Sequence, residues 1–298
     1  MTNAAKTVLI TGSEGFTGKY MTAEMRSAGY HVVGLGTKPS TAVDYYQVDL
    51  LNSTEISVLI NQVKPDIVIH LAAIAFVGHG DANAFYQINL QGTRNLLEAL
   101  ARAEKKPEAV LITSSANIYG NTSEGSLSES TLPNPANDYA VSKLAMEYMA
   151  KLWQDRLPII ITRPFNYTGI GQAENFLLPK IVTHFQRKVK QIELGNLDVW
   201  RDFSDVRAVV NAYRRLIEVK AFGYTVNVCS EQLYSLREVV TIVEELSGYH
   251  IDIQVNPAFV RAGEVKTLCG DASLLRALIG NWQMPPLKET LDWMLEAR

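Results

Sequence analysis

The chain has 298 residues, 47% apolar and 20% charged, a globular composition that excludes disordered, collagenous and coiled-coil classes. Lys and Arg number 28 against 31 Asp and Glu, leaving a net charge of −3, so no global field draws in nucleic acid or anionic lipid and any anionic ligand must be held locally. Cys229 and Cys269 are the only cysteines, too few and too far apart for a disulfide framework or a cysteine zinc cluster, and they point to a reducing compartment.

Val8-Leu9-Ile10 gives way to polar Thr11-Gly12-Ser13 too soon for a signal peptide. The run from Ile67 to Val77 is broken by His70 and falls short of the ~20 residues that span a bilayer. A cytoplasmic protein with neither a membrane nor a nucleic-acid partner is expected. Over the first 165 residues, short apolar runs alternate with amphipathic segments, the pattern of a parallel sheet flanked by helices. Strands are predicted at Thr7–Thr11, His31–Leu35, Asp44–Val48, Ile67–Ala72, Ala109–Ser114 and Pro158–Arg163, with helices at Gly18–Ala28, Ser53–Val63, Phe85–Ala103 and Tyr139–Arg156. Beyond Arg163 the alternation weakens: Asn166–Gln172 and Leu194–Asp202 read as loops, Phe176–Lys188 and Asp205–Val219 as helices, and Tyr224–Cys229 as a further sheet piece. The expected fold is α/β, a Rossmann-like doubly wound parallel sheet with a smaller C-terminal α+β substrate domain. The boundary interleaves: residues 1–165 plus about 203–232 bind a dinucleotide, and 166–202 with 233–298 bind the substrate.

Directly after the first strand stands Gly12-Ser13-Glu14-Gly15-Phe16-Thr17-Gly18. Between a strand and a helix, such glycines let the backbone turn and approach a pyrophosphate, whose charge meets free N–H groups at the helix start. An acidic residue usually follows at the tip of the second strand to bind the ribose hydroxyls, yet that tip reads Gly34-Leu35-Gly36-Thr37-Lys38 with no Asp or Glu between His31 and Val43. Without that carboxylate a 2′-phosphate meets no repulsion, and Thr37 and Lys38 can donate to it. NADP(H) is therefore favoured, NAD(H) remains possible, and Gly36→Asp is expected to move preference towards NADH.

Tyr139 and Lys143 stand four apart, which places phenol and ammonium on one helix face. Chance alone produces such pairs. Position adds the weight, because Ser114-Ser115 ends the preceding strand at the crevice where the glycine turn also points. A carbonyl accepting hydride needs a proton donor, and a phenol of pKa ≈ 10 serves near neutrality if a neighbouring ammonium lowers it. Tyr139 is thus the candidate acid, Lys143 its electrostatic partner, and Ser115 the hydroxyl that bonds the substrate oxygen as charge builds. His70 reads as a satisfied core histidine, His79 and His184 show no ligand pattern, and no metal is expected. Trp153, Trp200, Trp282 and Trp293 read as packing.

Together these residues resemble the extended short-chain dehydrogenase/reductase family, the NAD-dependent epimerase/dehydratase type that acts on nucleotide sugars. Further segments carrying the likeness are His70-Leu71-Ala72-Ala73, Asn89-Leu90-Gln91-Gly92-Thr93, Ser114-Ser115-Ala116-Asn117-Ile118-Tyr119-Gly120, Arg163-Pro164-Phe165-Asn166, Asn175-Phe176, Arg201-Asp202-Phe203 and Arg261-Ala262-Gly263-Glu264. The resemblance implies that Asp49, Leu50, Leu71, Ala72, Ala73 and Pro164 join the cofactor site. It likewise implies that Asn166, Asn175 and Glu264 line the substrate site, and that Arg201 and Arg261 hold the diphosphate. Within the family the chain is most similar to reductases of nucleotide-linked 4-keto-6-deoxyhexoses, of the GDP-4-keto-6-deoxymannose reductase type. Dehydratases of the family carry Asp and Glu where this chain has Ala116 and Asn117, and its fucose-synthase branch adds a Cys absent from the serine segment here. The expected function is NADPH-dependent reduction of a GDP- or dTDP-linked 4-keto sugar for cell-surface polysaccharide, with a 4-epimerase on retained NAD and a non-catalytic NADP-binding protein as alternatives. The resemblance also implies a homodimer, with Leu96, Leu97, Leu100, Met146, Met149 and Leu152 offering apolar surface.

Overall fold

A computed structural model of the protein describes residues 5–120, 125–259 and 266–297. Its strands are β1 (Thr7–Thr11), β2 (His31–Gly36), β3 (Tyr45–Gln47), β4 (Ile67–His70), β5 (Ala109–Thr113), β6 (Ser126–Leu127) and β7 (Ile159–Pro164). They continue as β8 (Asn166–Thr168), β9 (Gln191–Leu194), β10 (Trp200–Asp205), β11 (Thr225–Val228), β12 (Leu233–Ser235), β13 (Asp252–Val255) and β14 (Thr267–Gly270). The helices are α1 (Phe16–Ser27), α2 (Ser53–Val63), α3 (Ala82–Phe85), α4 (Thr93–Arg102), α5 (Asp138–Lys151), α6 (Leu177–Gln186), α7 (Val206–Glu218), α8 (Leu236–Ser247), α9 (Ser273–Ile279) and α10 (Leu287–Glu296).

Seven strands form one parallel sheet in the order β11-β7-β5-β4-β1-β2-β3. Strands buried on both faces read as continuous apolar runs, and each face has its own core. Val8, Ile10, Ile67 and Ile69 pack with Met21, Met25, Val209 and Tyr213 of α1 and α7. Leu9, Val68, Val110 and Ile112 point the other way, onto Ile56, Leu96, Leu100 and Met146 of α2, α4 and α5. The chain leaves β1 in one direction for β2 and β3 and later returns on the other side for β4, β5 and β7. The crevice of such a sheet opens at this reversal, above the carboxyl ends of the strands, here Thr11 beside His70.

A second sheet runs β12-β10-β14-β6, with β8 also pairing β10. A third core, including Phe185, Leu194, Val240 and Leu291, lies beneath α6, α8 and α10. The segments read as loops at 166–172 and 194–202 thus contain β8 and part of β10, a correction with a clear cause. Asn166–Thr168 is too short to show a period, and Trp200–Asp205 carries four polar positions to two apolar and is held by its three partner strands. The helix predicted from Phe85 begins at Ala82 and contains a π-helical stretch, Tyr86–Gly92. Leu96, Leu97, Leu100 and Met146, expected to offer dimer surface, are buried in the protomer's own core; Met149 packs against that core, and of the six only Leu152 is exposed. No helix among the described residues is long and apolar enough to cross a membrane.

Candidate active site

Gly12 leaves β1 at φ +72, and a Cβ there would lie 2.9 Å from the Ala72 backbone nitrogen. A Cβ on Gly18 would lie 2.1 Å from the Gly12 carbonyl oxygen, so neither place has room for a side chain: Gly12 is pressed against the segment after β4, and Gly18 against the glycine loop itself. Gly15 starts α1 without any side-chain cap and without an acidic residue in the first turn, which leaves the helix N-terminus for an external anion. The Ser13 hydroxyl beside it is buried with no partner, as expected where a ligand oxygen completes the site. These features fit a dinucleotide pyrophosphate. The side chains of Phe16 and Thr17 turn elsewhere: Phe16 stacks on Tyr167 at 6.1 Å, and the Thr17 and Tyr167 hydroxyls meet at 2.7 Å. Only their backbones are left for the cofactor.

Thr37 and Lys38 are exposed beyond β2, their carbonyls accepting from Gln47 Nε2 and the Tyr45 hydroxyl. Leu71, Ala72 and Ala73 follow β4 beside Gly12, with the Ala72 N–H donating to Thr11 Oγ1. The exposed Asp49 accepts from Leu51 N, Leu50 is buried under Gly92, and Pro164 ends β7.

Asn137 caps α5 by accepting from the Ala140 N–H, which sets Tyr139 in the first turn, edge-on to Phe85 at 5.8 Å. Ser115 opens a 3-10 turn after β5, and its Oγ accepts from both the Asn117 N–H (3.2 Å) and Asn117 Nδ2 (3.1 Å). Both bonds use lone pairs, so the Ser115 hydroxyl is left to act as a donor, and its proton turns to the Tyr139 oxygen. Its hydrogen bond to Tyr139 works to lower the phenol's pKa, but burial prevails and pushes it up to about 12. Lys143, almost wholly buried, donates to the Thr113 carbonyl at 2.8 Å, and burial lowers its pKa to about 8 while Glu147 opposes the fall. In this arrangement the Lys143 ammonium is bonded to a backbone carbonyl, and desolvation is the largest influence on Tyr139.

Several residues join this centre that sequence reasoning gave no site role. Asn89, in the π-helical stretch, bonds both the N–H and the carbonyl of Ile74 and also Ser142 beside Lys143. It thereby ties the loop after β4 to α5. His70 links the same elements. Thr93 gives its proton to the Asn89 carbonyl and so must accept from His70 Nε2, while Thr11 donates to Nδ1. Burial, aided by the Lys143 charge, holds His70 neutral with a pKa of about 3. Arg163 is a buried ion partner of Glu147 through two bonds of 2.9 and 2.7 Å, and also reaches the Tyr119 hydroxyl and the Glu129 carbonyl. The guanidinium that opens the Arg163–Asn166 segment thus faces the protein interior.

On the substrate side, Asn166 Nδ2 donates to the Asp202 carbonyl at 3.4 Å across the β8–β10 pair. Arg201 lies on β10, its Nη1 donating to the carbonyls of Trp200 and Lys266. Next to it, the Asp202 carboxylate is buried and accepts from Ser230 N and Oγ, Glu231 N and Gly270 N, which anchors the strand that carries Arg201. Asn175 is exposed just before α6. Arg261 and Glu264 lie outside the described residues. Trp282 is buried, and Trp153 and Trp293 pack against cores. Trp200 is 38% exposed, contrary to its reading as a packing residue.

The profile of the GDP-mannose 4,6 dehydratase family matches residues 9–292. GDP-6-deoxy-D-talose 4-dehydrogenase of Aggregatibacter actinomycetemcomitans is 35% identical over 98% of this chain and 97% of its own. GDP-6-deoxy-D-mannose reductase of Pseudomonas aeruginosa is 32% identical over 98% of both chains. Among solved structures, a Burkholderia cenocepacia J2315 protein provisionally named an epimerase is 50% identical, with TM-score 0.92 over 98% and 97% of the two chains. The Pseudomonas aeruginosa RMD complexed with NADPH is 32% identical with TM-score 0.85 over 98% and 96%. MoeE5, in complex with UDP-glucose and NAD, is 28% identical with TM-score 0.89 over 97% of each.

Proposed function

Because this chain belongs to the extended short-chain dehydrogenase/reductase family, in the branch that the GDP-mannose 4,6 dehydratase profile describes, we propose that it is an NADPH-dependent reductase of a nucleotide-linked 4-keto-6-deoxyhexose. The sugar is GDP- or dTDP-linked and the product is an NDP-6-deoxyhexose for cell-surface polysaccharide, made in the cytoplasm. One observation carries the reading. Asn117 spends both its backbone and side-chain donors on Ser115 Oγ, so the position where a dehydratase would carry an acid or base serves only to orient a hydroxyl. What remains is a phenol and a serine, sufficient for carbonyl reduction and short of the pair that elimination of water needs. The names of the two curated relatives, a 4-dehydrogenase and a reductase of GDP-6-deoxyhexoses, support the same C4 chemistry.

The dinucleotide, when bound, supplies the hydride that the carbonyl carbon receives. Gly12, Gly15 and Gly18, with the start of α1, hold its pyrophosphate, and Ala72 and Ala73 form the facing wall. Ser115, held as a donor by Asn117, gives its proton to the C4 oxygen as charge builds, in place of the bond it makes to Tyr139. Tyr139, whose high pKa keeps it protonated throughout the neutral range, delivers the proton. Lys143 contributes positive charge to the same pocket. Arg201, with Arg261, holds the diphosphate through forked guanidinium contacts. In this division of work residues 1–165 and about 203–232 receive the cofactor, and 166–202 with 233–298 the nucleotide sugar.

If the charged form of Lys143 is required, kcat/KM for reduction falls as pH rises through about 8, because the ammonium, destabilised by burial, loses its proton there. A profile from pH 6.5 to 9.5, flat across its alkaline half, would remove Lys143 from the reaction. The direct test of function is consumption of NADPH with a panel of GDP-, dTDP- and UDP-linked 4-keto sugars, with product stereochemistry by NMR. Failure on all three, together with dinucleotide that copurifies with the protein and interconversion of UDP-glucose without added cofactor, would establish instead the second reading, a 4-epimerase on retained NAD. That reading is favoured by the NAD complex among the structural relatives. A homodimer also belongs to the proposal, through the exposed Val141 and Tyr148 on α5 and Leu152 directly after it; a protomer mass by light scattering at micromolar concentration would exclude it.

A further inference from the structure

The tip of β2 is unusual in carrying two glycines two residues apart, Gly34 and Gly36, which fall on one face of the strand. What fills that face is Tyr45, from the neighbouring β3. A Cβ on Gly34 would stand 3.1 Å from Tyr45 Cδ2, and one on Gly36 would stand 2.7 Å from the Tyr45 hydroxyl. The phenol ring therefore lies lengthwise over the strand, in the strip that the two missing side chains leave open. Its hydroxyl donates to the Lys38 carbonyl at 2.5 Å, and Gln47, two residues along β3, donates to the Thr37 carbonyl at 3.0 Å. Both carbonyls beyond the strand are thus braced from β3. Beside the ring lies the partnerless Ser13 hydroxyl, which would stand 2.5 Å from a Cβ on Gly34.

We propose that Tyr45 is the residue that determines preference between a phosphorylated and an unphosphorylated adenosine ribose. It acts by filling the space an acidic side chain at position 36 would need, and by holding Thr37 and Lys38 in place for a 2′-phosphate. The inference rests on the dinucleotide reading above and goes beyond it, because the missing acid becomes a consequence of the tyrosine. An acid cannot simply be added: Asp at position 36 meets the Tyr45 hydroxyl, and displacing that hydroxyl frees the Lys38 carbonyl. Gly36→Asp alone accordingly weakens binding of both kinds of ribose, which revises the simple switch towards NADH expected from the sequence. Gly36→Asp combined with Tyr45→Ala has room for the carboxylate and prefers the unphosphorylated form.

The test is equilibrium binding of two fragments, 2′,5′-ADP and 5′-AMP, to the full-length protein by calorimetry, with folding checked by thermal denaturation. The wild type binds 2′,5′-ADP more tightly. Tyr45→Phe keeps the ring and loses the brace, so affinity for 2′,5′-ADP falls by about 3–10-fold, the worth of one hydrogen bond, while that for 5′-AMP holds. The double variant reverses the order of the two fragments. If the wild type discriminates and both Tyr45→Phe and the double variant keep its ratio, the role of Tyr45 is overturned and the cofactor reading survives. A wild-type ratio of one overturns the preference for NADP(H) itself, and this inference with it.

Discussion

Tyr139→Phe is expected to lower kcat for reduction by ~10²–10⁴-fold, the usual worth of a positioned general acid, with affinity for NADPH little changed. The substitution removes one hydroxyl and leaves the ring against Phe85 and the Asn137 cap of α5 intact. Among the described residues, neither His70, locked neutral between two threonines, nor Lys143, bonded to Thr113, is placed to take over. Single-turnover kinetics with the cofactor titrated separately would distinguish the outcomes. Wild-type turnover in the variant across the pH range would show that Tyr139 is not the acid, and the proposed reaction would lose its proton source.

The second large effect concerns the buried pair one helical turn beyond Lys143. Glu147→Gln leaves the Arg163 guanidinium buried without its ion partner, which costs about 3–5 kcal/mol of folding stability. Replacing both residues by Met should recover most of that loss, because two desolvated charges disappear together. Tyr119 keeps its bond to Asn227 in either variant, while the double replacement also removes the Arg163 bonds to Tyr119 and the Glu129 carbonyl, so the recovery is a lower bound on the cost of the stranded charge. A pH effect accompanies the structural one. Glu147 supports the charged form of Lys143; without it the ammonium loses its proton at lower pH, and the alkaline limb of kcat/KM moves below about 8. Urea unfolding and the pH profile together check both halves. Equal stability of Glu147→Gln and wild type would mean the pair contributes nothing, whatever its geometry.

The sheet was legible because its strands are apolar on both faces, and Val8 to Ile10 or Ile67 to Ile69 can read as little else. β8 and β10 were not. One is three residues long, and the other is held by pairing on both sides, information that a polar hexapeptide does not contain. Helical periodicity showed that Leu96, Leu100 and Met146 share a buried side, but it carries no sign of whether the covering surface belongs to the same chain. In the site, position along the chain sufficed to bring Ser115, Tyr139 and Lys143 into one reading. Their electrostatics were not accessible the same way. Whether Lys143 acts on the phenol depends on which acceptor its flexible stem reaches, and the structure shows the Thr113 carbonyl. Asn117 was visible only as the absence of a dehydratase acid; its two donations to Ser115 depend on the 3-10 turn. Glu147 stood four residues after Lys143 in plain view, yet its meaning required Arg163, which reaches it from a strand.

The edge strand β11 has a consequence for how the protein is made. Residues 225–228 close the sheet against β7, so the first 165 residues emerge from the ribosome with a nearly complete sheet whose last strand, led by Ile159, Ile160 and Ile161, is paired to β5 alone and open on its outer side. Such an edge is a template for pairing with other chains, and it stays open until the intervening segment has been synthesised and has looped back. Fragments ending near residue 165 are therefore expected to aggregate, while fragments extended past Val228 can seal the edge. Long-range pairing of this kind also slows folding relative to local contacts, which makes the return of β11 the step at which a nascent chain is most exposed to misassembly.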